Sequence, residues 1–201
     1  DAVEIGFEAR ESLGELDDLR VRLPELVPQR DDAIGRCRTH LVEMLAELLG
    51  VSLYLPPISS APALEVVRAA QDRGAPMTVE TCPQYLYLSL EEHLSQPGFE
   101  GAKWVCSTPL RSSADGHQDE LWRYLRTGDL SVVSTDHCPF CFKEQKELGL
   151  GDFSKIPNGM PGVETRMHLL WEGVAAGKIS LNRFVEITST APAKIFGMYG
   201  K

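Results

Sequence analysis

The 201-residue chain has no uninterrupted apolar run near the roughly 18 residues a membrane span needs, so a membrane-spanning helix is not expected. Positive charge is scarce: 20 Lys and Arg stand against 29 Asp and Glu, a net charge of −9. With no basic patch, the footprint of a nucleic-acid binder is missing. Cysteines number five, which is odd and few for this size; no disulfide framework is expected, and a reducing, cytoplasmic setting is. No Gly-x-Gly-x-x-Gly follows any apolar run, so nothing indicates a dinucleotide fold. No His-x-His pair occurs. No charged-then-apolar leader opens the chain, and it starts at Asp1 rather than at a methionine, which reads as processing or as a piece of something longer.

What is present suits a globular α/β protein. Hydrophobic residues make up 43% and charged residues 24%, which excludes disorder and collagen. The acidity is uneven: residues 1–32 carry ten acids and four arginines. Leu13, Leu16, Leu19, Leu23 and Leu26 recur at helical spacing there, but Pro24 and Pro28 interrupt them, and residues 1–30 read as a separate acidic, solvated segment. From Asp31 the pattern sharpens into one unit running to residue 201. Ala33, Ile34, Cys37, Leu41, Met44, Leu45, Leu48 and Leu49 predict an amphipathic helix ended by Gly50. Val51 to Leu55 predicts a strand, and Ser59 or Ser60 the cap of a second helix ended by Gly74. Met77 to Glu80, Lys103 to Cys106 and Leu130 to Thr135 predict three more strands. Ser89-Leu90-Glu91-Glu92 has the form of a capping box. Residues 113–126, 163–176, 181–189 and 192–198 predict helices, and 137–162 a long loop. Four strands alternating with helices imply parallel βαβ units. They make either half of a (β/α)8 barrel or a four-stranded doubly wound sheet.

In parallel α/β folds, chemistry sits at the carboxyl ends of strands. Those ends are Pro56-Pro57, Glu80-Thr81-Cys82, Ser107-Thr108-Pro109 and Asp136-His137-Cys138. Asp136 stands out. A carboxylate ending an apolar strand needs a metal or hydrogen-bond donors, and it can move a proton. The competing reading is a loop aspartate bonded to backbone amides. His137 would share its pocket only if the strand bends; it otherwise packs behind the site. Cys138 and Cys141 lack the second ligand pair of a zinc site and read as small buried hydrophobes. Glu80 reads as a strand-end carboxylate bonded to a neighbouring loop. His40 and His168 read as residues at the core edge or surface, and His93 and His117 as solvent-facing.

Several stretches together resemble the dihydropyrimidinase and D-hydantoinase family of cyclic amidohydrolases. They are Glu80-Thr81-Cys82-Pro83-Gln84-Tyr85-Leu86, Ser134-Thr135-Asp136-His137-Cys138-Pro139-Phe140, Phe153-Ser154-Lys155-Ile156-Pro157-Asn158-Gly159, Pro161-Gly162-Val163-Glu164, Asn182-Arg183-Phe184-Val185 and Pro192-Ala193-Lys194-Ile195-Phe196-Gly197. The resemblance runs from Asp31 to Tyr199. It implies a partial TIM-type barrel of about four βα units, the C-terminal half of the whole. It also implies a pair of divalent metals, usually zinc, bridged by a carboxylated lysine. The activity implied is the opening of dihydropyrimidine or hydantoin rings to N-carbamoyl amino acids, as in pyrimidine catabolism, by a homo-oligomer. On the same grounds Asp136 is a metal ligand and the base for the attacking hydroxide. Ser107 and Asn158 hold the ring amide, largely through backbone groups. The family's paired histidines and bridging lysine belong upstream of the matched region, and a further histidine ligand falls on Pro57, which has no donor for a metal. Of the expected ligands only Asp136 is present, so weak metal binding and an inactive isolated chain are expected. The alternative reading is a non-catalytic relative acting through oligomer assembly.

Overall fold

The structure, a computed structural model, describes residues 35–200. The acidic segment 1–30, its leucine spacing, and Ala33 and Ile34 of the first helix lie outside the described residues.

A parallel sheet of three strands forms the centre: β1 (Leu53–Leu55), β2 (Met77–Thr81) and β3 (Val132–Val133), in the order β1-β2-β3. Leu53 pairs with Met77 and Leu55 with Val79; Glu80 pairs with Val132 and Thr81 with Val133. The ladder of β3 reaches further than its two named residues, because Ser131 N donates to Val79 O and Ser134 N to Thr81 O. The predicted strand 130–135 therefore exists as a shorter one. Met77, Val79 and Thr81 of β2 are buried and Thr78 and Glu80 are half-buried, so one face of the strand is covered more completely than the other.

Seven helices are described: α1 (residues 35–49), α2 (Ala61–Asp72), α3 (Pro83–Tyr87), α4 (His117–Thr127), α5 (Arg166–Ala175), α6 (Leu181–Val185) and α7 (Ala191–Ile195). A π-helical turn at Glu186–Thr190 joins α6 to α7, so the two helices predicted at the end of the chain are one continuous helical stretch. The core gathers between sheet and helices. Leu64 and Val67 of α2, Val79 and Val133 of the sheet, Leu121, Trp122 and Leu125 of α4, Leu170 of α5 and Ile187 are all buried. Trp122 lies against the backbone of α5 at Gly173. A β-carbon there would come within 2.4 Å of the indole, so only glycine permits this approach. Arg183 of α6 donates to Leu125 O and Leu130 O, satisfying carbonyls where α4 ends and β3 begins.

Four local expectations are corrected. Lys103 to Cys106 is not a strand. A 3₁₀ helix occupies Glu100–Trp104, because Gly101 lies on the backbone of Leu94, where a β-carbon would sit 2.2 Å from Leu94 O, and the chain must curl there. An apolar run of three residues, Trp104 to Cys106, is too short to tell a strand from another buried form. Ser60 stands at the N-cap of α2 but makes no side-chain cap bond. Nδ1 of His117 accepts from Ala61 N at 3.1 Å instead, so His117 is buried rather than solvent-facing. Ser89 does cap as predicted, accepting from Glu92 N at 3.2 Å, but His93 rather than Glu92 accepts from Ser89 N. The loop 137–162 is not structureless; 3₁₀ helices cover Lys146–Gly149 and Phe153–Lys155.

Candidate functional site

Three loops meet at the carboxyl end of the sheet. The first follows the 3₁₀ helix and carries Ser107. Next to it, Thr108 O accepts from Tyr85 Oη at 3.0 Å and from Cys106 Sγ at 3.2 Å, and Thr108 Oγ1 bonds Ser59 Oγ at 3.0 Å. The segments after β1 and β2 therefore hold it. The second loop leaves β3 with Asp136, whose φ of +46° is a left-handed conformation that aspartate tolerates. This is the bend needed for Asp136 and His137 to share one site. The third carries Asn158 and Gly159.

Asn158 and Gly159 are bracketed by the other two loops. Gly159 N donates to Val105 O at 3.0 Å. On its other side Gly159 lies so close to Cys138 that a β-carbon would be 2.3 Å from Cys138 O. Cys138 N donates to Met160 O at 3.1 Å, and Nδ1 of His137 accepts from Gly162 N and Val163 N at 3.0 and 3.2 Å. The loops that carry Ser107, Asp136 and Asn158 are thus tied together.

Their exposure differs from the expectation. Asp136, Ser107 and Asn158 are all exposed, and so are Cys138 and Cys141 rather than buried. Asp136 was expected to face a cleft. A cavity of about 230 Å³ lined by Gln84, Tyr87, Trp104, Met160 and Leu169 adjoins the loops, but it is not lined by Asp136. Nor does Asp136 line a second cavity of about 370 Å³ beside Val105 and Ile156. Behind the site the groups are buried and neutral. Burial pushes the Cys82 thiol up to about 12, against a hydrogen bond to Ser134 and with the negative charges of Glu80 and Asp136 adding. Burial likewise pushes Cys106 up to about 11. Tyr54 donates to Glu80 at 2.5 Å, so Glu80 bonds a residue of the neighbouring strand β1 rather than a loop.

One residue at this end carried no sequence signal. Lys146 is buried at 2% exposure, and its ammonium donates to Val105 O at 2.9 Å, Pro157 O at 2.6 Å and Gly159 O at 3.1 Å. Only its place in a lysine-containing loop marked it.

A metal does not fit the donors present. Among the described residues no three His, Cys, Asp or Glu side chains come together. His137 uses Nδ1 as an acceptor for two backbone amides, which leaves the hydrogen on Nε2 and no free lone pair for an ion. Pro57 closes the strand end where a histidine ligand was expected.

No family model matches the chain. Individual proteins do. A D-hydantoinase of Streptomyces coelicolor is 56% identical over 163 residues, 81% of this chain and 34% of that protein. A D-hydantoinase of Geobacillus stearothermophilus is 49% identical over 182 residues, 90% of this chain and 36% of that protein. Over those stretches the chain is similar to D-hydantoinases. The crystal structure of dihydropyrimidinase from Brevibacillus agri superposes with a TM-score of 0.78 at 50% identity, covering 81% of this chain and 35% of that one. The L-hydantoinase of Arthrobacter aurescens superposes at 0.73 with 29% identity. The chain spans about a third of the length of the curated relatives it matches. The chain is α/β and has the fold of a partial TIM-type barrel, with three strands formed among the described residues rather than four. Among those residues no helix is long and apolar enough to cross a membrane.

Proposed function

We propose that the chain carries the substrate-holding and proton-handling loops of a cytoplasmic, homo-oligomeric hydrolase of cyclic amides. Its substrates are hydantoins or dihydropyrimidines, and its products are N-carbamoyl amino acids, the chemistry of pyrimidine catabolism. The observation that carries this reading is the bracketing of the Asn158 loop between the Ser107 and Asp136 loops. The names of its relatives, D-hydantoinase and dihydropyrimidinase, point the same way.

In the reaction water adds across the ring amide. Oxygen bonds to the carbonyl carbon, the carbon–nitrogen bond breaks, and a proton ends on the ring nitrogen. Asp136 is the group that takes a proton from water and returns it to nitrogen. Ser107 and Asn158 hold the planar ring edge. Zinc is the ion expected for the complete family site; with Asp136 as its one available ligand here, no step is assigned to it.

The purified chain is titrated with hydantoin and 5,6-dihydrouracil, and N-carbamoyl products are sought by chromatography. Saturable binding is expected. Wherever ring opening is detected, Asp136→Asn lowers it by about 10²–10⁴-fold, the usual loss of a general acid–base group. A folded chain that binds neither ring overturns the reading. A second reading, a non-catalytic relative working through assembly, rests on Pro57 and on the uncovered apolar face of α1. It predicts oligomers without ring binding.

A further inference from the structure

Three carbonyl oxygens from two distant parts of the chain converge on one point. Those of Val105, Pro157 and Gly159 lie 2.6–3.1 Å from Lys146 Nζ. Partial negative charges gathered this closely repel one another unless a cation or three donors stand between them. An ammonium supplies both, with three N–H groups for three acceptors and none left over. Phe140, in the loop that follows Asp136, places its ring 5.6 Å from the same nitrogen.

The tether determines which way Asn158 presents its backbone. In a trans peptide the C=O and N–H point in opposite directions. The Pro157 carbonyl points inward to Lys146, so the Asn158 N–H points outward. Gly159 N–H points inward to Val105 O, so the Asn158 C=O points outward. Neither Asn158 group takes part in a backbone bond among the described residues. One donor and one acceptor on a single residue therefore face the exposed side. A cyclic ureide or imide presents the complementary pair, an N–H beside a C=O, locked in the cis arrangement by its ring.

We propose that Lys146 is the positioning residue for ring recognition. It never touches the substrate. It holds the Val105, Pro157 and Gly159 carbonyls together, so that Asn158 offers its donor and acceptor as a fixed pair. This rests on the cyclic-amide reading and deepens it. It also accounts for the missing strand: Val105 O, which a sheet neighbour would have used, serves Gly159 N and Lys146 instead.

The test compares binding of hydantoin and 3-methylhydantoin, whose methyl group blocks the N–H of the reacting amide, by ligand-observed NMR on the full chain. The unmutated chain prefers hydantoin by about tenfold, the worth of one hydrogen bond left unmade. Lys146→Met keeps the unbranched side chain, one atom shorter, and removes the donors; the preference falls to about one. A general loss of folded protein lowers both affinities together and leaves their ratio intact, so the ratio separates positioning from stability. Should Lys146→Met fail to fold, Lys146→Arg is read instead. It keeps the charge, but its flat donor set cannot serve three carbonyls arranged around a tetrahedral nitrogen, and the preference again falls. An unchanged preference in any folded variant overturns this inference and leaves the cyclic-amide reading standing. Binding of neither ring by the unmutated chain overturns both.

Discussion

Helices α1 and α4 have similar sequence patterns and opposite surroundings. Both carry apolar residues at intervals of three and four. In α4 the stripe of Leu121, Trp122 and Leu125 is buried against the sheet and α5. In α1 the stripe faces outward: Leu48 is 80% and Leu49 70% exposed, and Leu41, Met44 and Leu45 are exposed as well. The side that α1 turns inward holds Ala46 and Glu43, and Glu43 is fully buried. Arg73, just past the end of α2, pairs with Glu43 and also with Glu47 at 3.0 Å, and His40 bonds Glu43 at 2.9 Å. An apolar period thus specifies that a helix forms and which face seeks burial. It does not specify that this chain supplies the cover. α4 is held by packing, and α1 by a charged clasp.

The comparison is broken most sharply at Trp122. The indole packs on Gly173, meets Tyr87 edge-on with ring centres 5.6 Å apart, and donates to Leu86 O at 3.3 Å. Trp122→Ala is expected to destabilise the fold by about 3–5 kcal/mol, read from the urea midpoint. The clasp is next. Arg73→Ala leaves the buried Glu43 side chain with the His40 bond alone in place of the clasp, at a cost of about 1–3 kcal/mol. Hydrogen exchange should then rise in α1 and leave α4 protected. Equal exchange in both helices would mean that the clasp does not hold α1.

Alkali tests the buried end of the sheet. Cys82 and Cys106 have thiol values raised to about 12 and about 11, so the folded state favours their neutral forms. The stability this contributes is complete below the ordinary thiol value, about 8.5, and is lost as pH rises toward 11–12. The urea midpoint should fall from about pH 9 upward, and Cys82→Ala should flatten that fall. At pH 8, iodoacetamide should label the exposed Cys37, Cys138 and Cys141 quickly and the buried Cys82 and Cys106 slowly. Equal labelling of all five would contradict the burial described.

Much of this was legible from residue types. The strand end singled out Asp136, because a carboxylate that ends an apolar strand needs a metal or hydrogen-bond donors; a loop aspartate fits the same pattern. The helices declared themselves by period and by Gly50, Gly74 and Gly128, all of which have positive φ. What stayed hidden was determined by distant partners. The 3₁₀ helix at Glu100–Trp104 depends on the backbone of Leu94. The cap of α2 comes from His117, 56 positions away from Ala61. Lys146 looked like any loop lysine, because its three acceptors are brought together only by the fold. Local pattern carries local structure, whereas a tether across loops has no period to read.

The smallest effect on stability belongs to Leu48, and it sharpens the comparison most. Leu48 is 80% exposed, so truncating it removes little buried surface. Leu48→Ala should move the urea midpoint by no more than about 0.5 kcal/mol, in contrast to Trp122→Ala. Its effect should appear in association instead. Leu41, Leu45, Leu48 and Leu49 share an exposed apolar face of α1, and the outer edge of β1 pairs with no strand among the described residues. Such a face favours self-association and binds hydrophobic dyes. Light scattering on the chain should therefore show concentration-dependent mass, and replacing Leu41, Leu45 and Leu48 together by lysine should reduce both that mass and dye fluorescence. If the triple variant instead unfolds, the face is buried in solution and the contrast between α1 and α4 disappears. If it stays folded and associates as before, assembly runs through another surface, with the open edge of β3 the next to examine.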